Sequence, residues 1–154
     1  EIRVKPKSYC VSFGFDAVWI TNTQEGSVQR IDPRTNEVVA TITVGPRPRF
    51  LTAGQHGVWV LNQGDGTVTR IEPQSNSVAA TIDCQVPGIG GDIDAGHGLV
   101  WVRGKYGRML QVISRKTNQV ERIYGPLNGS GAVRVAGGLV WVTAHDVNKV
   151  WVIR

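Results

Sequence analysis

Few residues of this chain have the types and spacing that chemistry needs, and most of them are charged rather than nucleophilic. His145 stands next to Asp146, and an imidazole beside a carboxylate can move a proton, although catalysis also needs a convergent partner within hydrogen-bond reach. The other two histidines, in Gln55-His56-Gly57 and Gly96-His97-Gly98, sit in turn sequences where an exposed residue is the common meaning. Asp92 and Asp94 are two positions apart and share one face of an extended strand; Arg134, about 40 residues on, could satisfy them with parallel hydrogen bonds. Cys10 and Cys84 fit neither a metal-ligand spacing nor a disulfide framework and read as two separate small core residues. Gly88-Ile89-Gly90-Gly91 follows no strand-to-helix pattern, so it reads as a loop and not as a phosphate cradle. No catalytic residue is assigned beyond the candidate His145, and no metal ligand is assigned.

The elements that must position these groups come from a repeat. Trp19, Trp59, Trp101 and Trp141 are spaced by 40, 42 and 40 residues, each in a hydrophobic triplet after a glycine-rich turn. Ser27-Val28-Gln29-Arg30-Ile31-Asp32-Pro33-Arg34-Thr35-Asn36 recurs as Thr67-Val68-Thr69-Arg70-Ile71-Glu72-Pro73-Gln74-Ser75-Asn76, and more loosely from Met109 to Asn118. Alternating apolar and β-branched residues bounded by Gly, Pro and Asn predict strands throughout, with no helical stretch. One repeat divides into four strands, A to D, at residues 10–13, 17–22, 27–32 and 37–44. Four short antiparallel strands per unit of about 40 residues, with a large aromatic at one strand position, predict an all-β fold of β-propeller blades. Each B strand lies in mid-blade, so all four tryptophans are expected to be buried between sheets.

The sequence resembles the YVTN-type and streptogramin-lyase-like propellers. Val58-Trp59-Val60-Leu61-Asn62, Gly66-Thr67-Val68-Thr69-Arg70-Ile71-Glu72-Pro73 and Asn36-Glu37-Val38-Val39-Ala40-Thr41-Ile42-Thr43-Val44-Gly45 carry the resemblance. It implies the architecture and leaves the activity open, because one propeller frame hosts many functions. It also implies an exported protein, periplasmic or extracellular. Streptogramin lyases, as the resemblance implies, would use histidines and acidic residues around magnesium near the axis. No pair of histidines here matches that motif, so none of its catalytic residues is carried over.

Residues 1–154 are expected to form a single domain. Glu1-Ile2-Arg3-Val4 aligns with the end of a D strand, whereas Ile153-Arg154 ends a C strand, so residues 1–4 are expected to complete the last blade against residues 150–153. That pairing would close a four-bladed ring; the same sequence also fits part of a larger propeller, completed by a homodimer or a companion chain. The net charge is +5, from 17 Lys and Arg against 12 Asp and Glu, and no apolar run is long enough to span a membrane. In a propeller the D–A and B–C loops share one face, here carrying Lys7, Tyr9, Arg47, Arg49, Lys105, Tyr106, Arg108 and Lys149. Such a face would attract a protein, an anionic small molecule or an anionic polysaccharide. Nucleic acid is disfavoured, since there is neither a ladder of aromatics for stacking nor a basic run. The expected function is a non-catalytic binding or assembly module without a cofactor; the alternative is a lyase-like enzyme, or a fragment of one, with magnesium. Asp92, Asp94 and Arg134 are expected to form an inter-blade ion pair rather than a metal or catalytic site.

Overall fold

In the computed structural model, which describes residues 1–86, 88, 90–104, 110–124 and 131–154, fifteen strands build four antiparallel sheets, one per repeat. Blade 1 is β1(Ser8–Gly14), β2(Ala17–Asn22), β3(Ser27–Asp32) and β4(Glu37–Thr43), hydrogen-bonded in sequence order. Blade 2 repeats this with β5(Pro48–Gly54), β6(Gly57–Asn62), β7(Thr67–Glu72) and β8(Ser77–Asp83). Blade 3 comprises β9(Asp92–Gly96), β10(Leu99–Arg103), β11(Leu110–Ser114) and β12(Gln119–Tyr124). Blade 4 has three strands, β13(Val133–Ala136), β14(Leu139–Ala144) and β15(Lys149–Ile153). The fold is that of a β-propeller. Residues 1–4 form no strand within the chain, so the outer strand expected to complete blade 4 is not formed there.

The turns explain the short strands. Asn36, Asn76 and Asn118 close the C–D turns with φ of 61°, 54° and 54°, a left-handed conformation that asparagine tolerates. The turns at Asn76 and Asn118 also receive a staple from the preceding blade. Arg30 Nη1 donates to the Pro73 carbonyl (2.7 Å) and to Asn76 Oδ1 (3.0 Å), and Arg70 Nη1 donates to the Arg115 carbonyl (3.0 Å) and to Asn118 Oδ1 (2.9 Å). Each guanidinium also lies over the tryptophan of its own blade, 5.3 Å from the Trp19 centroid and 5.1 Å from that of Trp59. The Arg in the repeated Val-x-Arg-Ile run is therefore an inter-blade clasp, which periodicity alone does not reveal.

Three apolar cores lie between neighbouring blades. One joins Trp19, Val28 and Ile42 of blade 1 to Leu51, Val58 and Val60 of blade 2; the next joins Trp59, Leu61 and Val68 to Ile93, Val100 and Val102; the third joins Trp101, Leu110 and Val112 to Val133, Val140 and Val142. Alternation along each strand gives a blade two apolar faces, one for each neighbour. Trp19, Trp59 and Trp101 are buried as expected. Trp141 is not, being 41% exposed, because the face of blade 4 that carries it has no blade upon it.

Candidate binding face

The inner strands β1, β5, β9 and β13 line an axial cavity of about 610 Å³. An inner strand is the edge of its sheet, with unpaired amides that need acceptors. Side chains of the preceding blade supply them. Ser12 Oγ accepts from the Ala53 N–H (3.2 Å), Asp94 Oδ2 from the Val135 N–H (2.8 Å), and Asp92 Oδ2 from the Val133 N–H (3.1 Å). Asp94 Oδ1 also accepts from Thr52 Oγ1 at 3.2 Å.

Arg134 Nη1 lies 2.5 Å from Asp92 Oδ2 and reaches its own residue 133 carbonyl at the same distance. Aligning Val133-Arg134-Val135 with Asp92-Ile93-Asp94 by sequence puts Arg134 on the blade face opposite to that of the aspartates, and the observed register differs from this by one residue. Arg134 pairs with Trp141 as Asp94 pairs with Trp101, so it occupies the position of Ser12, Thr52 and Asp94, on the side of blade 4 that faces away from blade 3. The side chain curls back to Asp92 and stays 62% exposed, and Asp94 is held by Thr52 and the Val135 amide instead of by the guanidinium. Burial pushes the Asp92 carboxyl above the usual carboxylate range, although Arg134 and the amides of Ile93 and Val133 pull the other way. The two aspartates are thus chiefly caps for the next blade's edge.

A second cleft, of about 220 Å³, opens on the loop face and is lined by Tyr9, Thr23, Arg47, Arg49 and Gln63. Tyr9 and Arg49 hold equivalent positions at the start of the A strands of blades 1 and 2, which is why they meet. The Arg49 guanidinium lies 4.4 Å from the Tyr9 ring centroid and 5.6 Å from that of Phe50, donates from Nη2 to Tyr9 Oη (2.7 Å) and from Nη1 to Gln63 Oε1 (3.5 Å). Tyr9 and Phe50 meet edge to face, with centroids 5.6 Å apart. Buried Gln63 is fixed in turn by a hydrogen bond from Nε2 to the Gly90 carbonyl. Arg47 is exposed and holds a positive φ of 53°, as does Lys7 (58°) at the same place in its own D–A loop. The Lys7 carbonyl accepts from both the amide and the hydroxyl of Thr23 (3.0 Å each), and the Arg47 carbonyl accepts from the Gln63 amide (3.1 Å). In blades 1 and 2 the B–C loop thereby holds the D–A loop in a conformation that L-residues rarely adopt.

Of the face expected to bind, the cleft gathers Tyr9, Arg47 and Arg49. Lys7 is exposed beside it; Lys149, also exposed, begins β15 in blade 4 and lines neither cavity. Lys105, Tyr106 and Arg108 lie outside the described residues. Thr23 and Gln63 were not singled out by the sequence, though their place in the B–C loops was a usable signal.

His145 opens a short 3-10 turn, His145–Val147, and its Nε2 lies 2.6 Å from Asp146 Oδ1 with both side chains largely in solvent. His56 and His97 sit in A–B turns with φ of 62° and 55°. Magnesium, which the lyase resemblance implies, takes oxygen donors in near-octahedral geometry, and among the described residues no three of His, Cys, Asp and Glu group so as to hold a metal. These residues do not fit that ion. Both cysteines are free; buried Cys84 has its thiol pushed up to about 12 by burial and by the neighbouring Asp83. Among the described residues no helix is long and apolar enough to cross a membrane.

No protein-family model matches the sequence, and no curated protein matches it. Solved structures do. The computationally designed Ika4 protein is similar with a TM-score of 0.85 at 15% identity, over 99% of this chain and 94% of that one. The virginiamycin B lyase of Staphylococcus aureus is similar at 0.77 and 17% identity, over 96% of this chain and 52% of that one. The hydrazine synthase of Kuenenia stuttgartiensis is similar at 0.73 and 17% identity, over 100% of this chain and 51% of that one. The chain thus spans about half the length of the two enzyme chains, and at these identities the likeness is one of fold: a streptogramin-lyase-like β-propeller.

Proposed function

We propose that the chain is a non-catalytic binding module that takes an anionic small molecule or an anionic polysaccharide at the loop face between blades 1 and 2. The cleft formed by Tyr9, Thr23, Arg47, Arg49 and Gln63 carries this reading. Arg49 is held in place by two rings and two hydrogen bonds, which lowers the entropy lost when a ligand arrives, while exposed Arg47 supplies a mobile second cation. Two guanidiniums at the rim of one polar cleft suit a carboxylate or sulfate better than a neutral group.

Titration calorimetry with a uronate or sulfated oligosaccharide tests this. Arg47→Ala should weaken binding about tenfold, the usual order for one charge-assisted contact, and leave the melting temperature unchanged because Arg47 supports no packing. Binding should also weaken with added salt. Affinity equal in the wild type and in Arg47→Ala would remove the proposal. Loss of a turnover to a chelator and to His145→Ala would instead favour the lyase alternative.

A further inference from the structure

The axial cavity divides by charge. Among the described residues that line it, blades 1 and 2 contribute no charged side chain, and their wall is apolar at Tyr9, Val11 and Phe50. Blades 3 and 4 contribute Asp92, Asp94 and Arg134. A volume of about 610 Å³ is that of a small-molecule site, and an apolar wall with a few fixed polar groups is how such sites orient a ligand. Capping does not account for the charges. Ser12 gives the Ala53 amide its acceptor with a neutral hydroxyl, at the position that Asp94 holds two blades on. The Asp94 carboxylate has no ion-pair partner among the described residues, because Arg134 goes to Asp92 instead. Its Oδ2 accepts from the Val135 amide and keeps a lone pair. Arg134 is anchored through Nη1 alone, to Asp92 and the residue 133 carbonyl, while its Nε and Nη2 donate to nothing among the described residues.

We propose that the axial cavity binds a free α-amino acid with an apolar side chain, its carboxylate on the open nitrogens of Arg134 and its ammonium on Asp94. The spacing fits. Asp92 and Asp94 cap the amides of residues 133 and 135, two positions apart along β13, and at ~3.3 Å of rise per residue the two caps lie about 7 Å apart. The guanidinium sits on the Asp92 cap, so about the same distance separates it from the Asp94 carboxylate. An α-ammonium and its carboxylate are joined through one carbon, and with a charge-assisted hydrogen bond of about 2.8 Å at each end the pair spans such a gap. A simple anion would occupy Arg134 and be repelled by Asp94; a simple ammonium would leave the guanidinium open. The zwitterion satisfies both groups at once. Its side chain then turns to the wall of Tyr9, Val11 and Phe50, where burial of apolar surface adds to affinity. Among the described residues this site shares only Tyr9 with the rim cleft.

Titration calorimetry of the full chain with L-phenylalanine, N-acetyl-L-phenylalanine and L-phenylalanine methyl ester tests each end of the ligand in turn. Phenylalanine should bind, and loss of the ammonium by acetylation or of the carboxylate by esterification should each weaken binding about tenfold or more. Glycine, which has no apolar side chain, should also bind more weakly. Asp94→Asn keeps an oxygen for the Val135 amide; it should bind phenylalanine about tenfold more weakly and no longer prefer it to the N-acetyl form. Arg134→Gln should lose the preference over the ester in the same way. Arg47→Ala, which alters the rim cleft alone, should bind phenylalanine as the wild type does, and a loss there would move the amino acid to the rim cleft and overturn the axial site. No saturable heat from phenylalanine, equal affinity for the three phenylalanine ligands, or wild-type affinity in both Asp94→Asn and Arg134→Gln would each overturn it too. The ligand series on the wild type needs no variant to fold.

Discussion

At the scale of single residues, the inner edge of each blade explains which charges matter to stability. Asp92 accepts the amides of Ile93 (2.9 Å) and Val133 (3.1 Å) as well as the Arg134 guanidinium, and its side chain is only 8% exposed. Arg134 is largely solvated, so Arg134→Ala should cost about 1 kcal/mol, against about 1–3 kcal/mol for Asp92→Ala, which strands a buried amide. Urea denaturation of the two variants measures the difference, and a larger loss for Arg134→Ala would reverse the assignment. The raised carboxyl of Asp92 fixes the sign of a pH effect. In the interval from the ordinary carboxylate value up to the raised one, the folded chain binds more protons than the unfolded chain, so the contribution of Asp92 to stability declines as pH rises through that interval. Asp92→Asn should flatten that part of the stability profile. The cysteines separate in the same way: at pH 8 a thiol reagent should modify half-buried Cys10 and leave Cys84 untouched until the chain unfolds.

At the scale of elements, the repeating tryptophan and arginine do different work in different blades. Trp59 is fully buried, donates its indole N–H to the Gly54 carbonyl (3.2 Å) and lies beneath Arg70, so Trp59→Ala should cost about 3–5 kcal/mol. Trp141 makes the same kind of bond to the Ala136 carbonyl (3.1 Å) but lies half in water. Trp141→Ala should therefore cost clearly less than Trp59→Ala, as paired chemical denaturation curves would show. The strands and turns of blades 1 and 2 were legible in the sequence because their alternation and their Asp-Pro or Glu-Pro turns are local signals. The clasp made by Arg30 and Arg70 was not, since its acceptors lie more than 40 residues away, in the next blade. Register was also missed at β13: aligning Val133-Arg134-Val135 with Asp92-Ile93-Asp94 placed Arg134 one residue out, and only its pairing with Trp141 puts it at the position of Asp94.

At the scale of the whole molecule, stability should fall from the middle of the arc to its ends, because in a repeat array each blade is stabilised by its neighbours. Blades 2 and 3 are covered on both faces, whereas blade 4 is covered on one and β15 is an edge strand. Hydrogen exchange should be slowest in β6 and β10 and fastest in β15; equal protection across the four blades would contradict a neighbour-dependent array.

The sequence by itself determined the blade count, the strands, the loop face and the apolar character of both sides of every blade, because each of these is written in local alternation repeated about every 40 residues. Only the tertiary structure decided which residues of that face converge. Tyr9 and Arg49 meet because equivalent positions at the start of the inner strands of adjacent blades lie side by side, whereas Lys149 is carried away to blade 4. It also decided that Trp141 lies half in water while Trp19, Trp59 and Trp101 are buried, because burial depends on the neighbouring blade and not on the repeat itself. Closure depends on the angle between blades summed around the ring, a property of packing that no single repeat encodes.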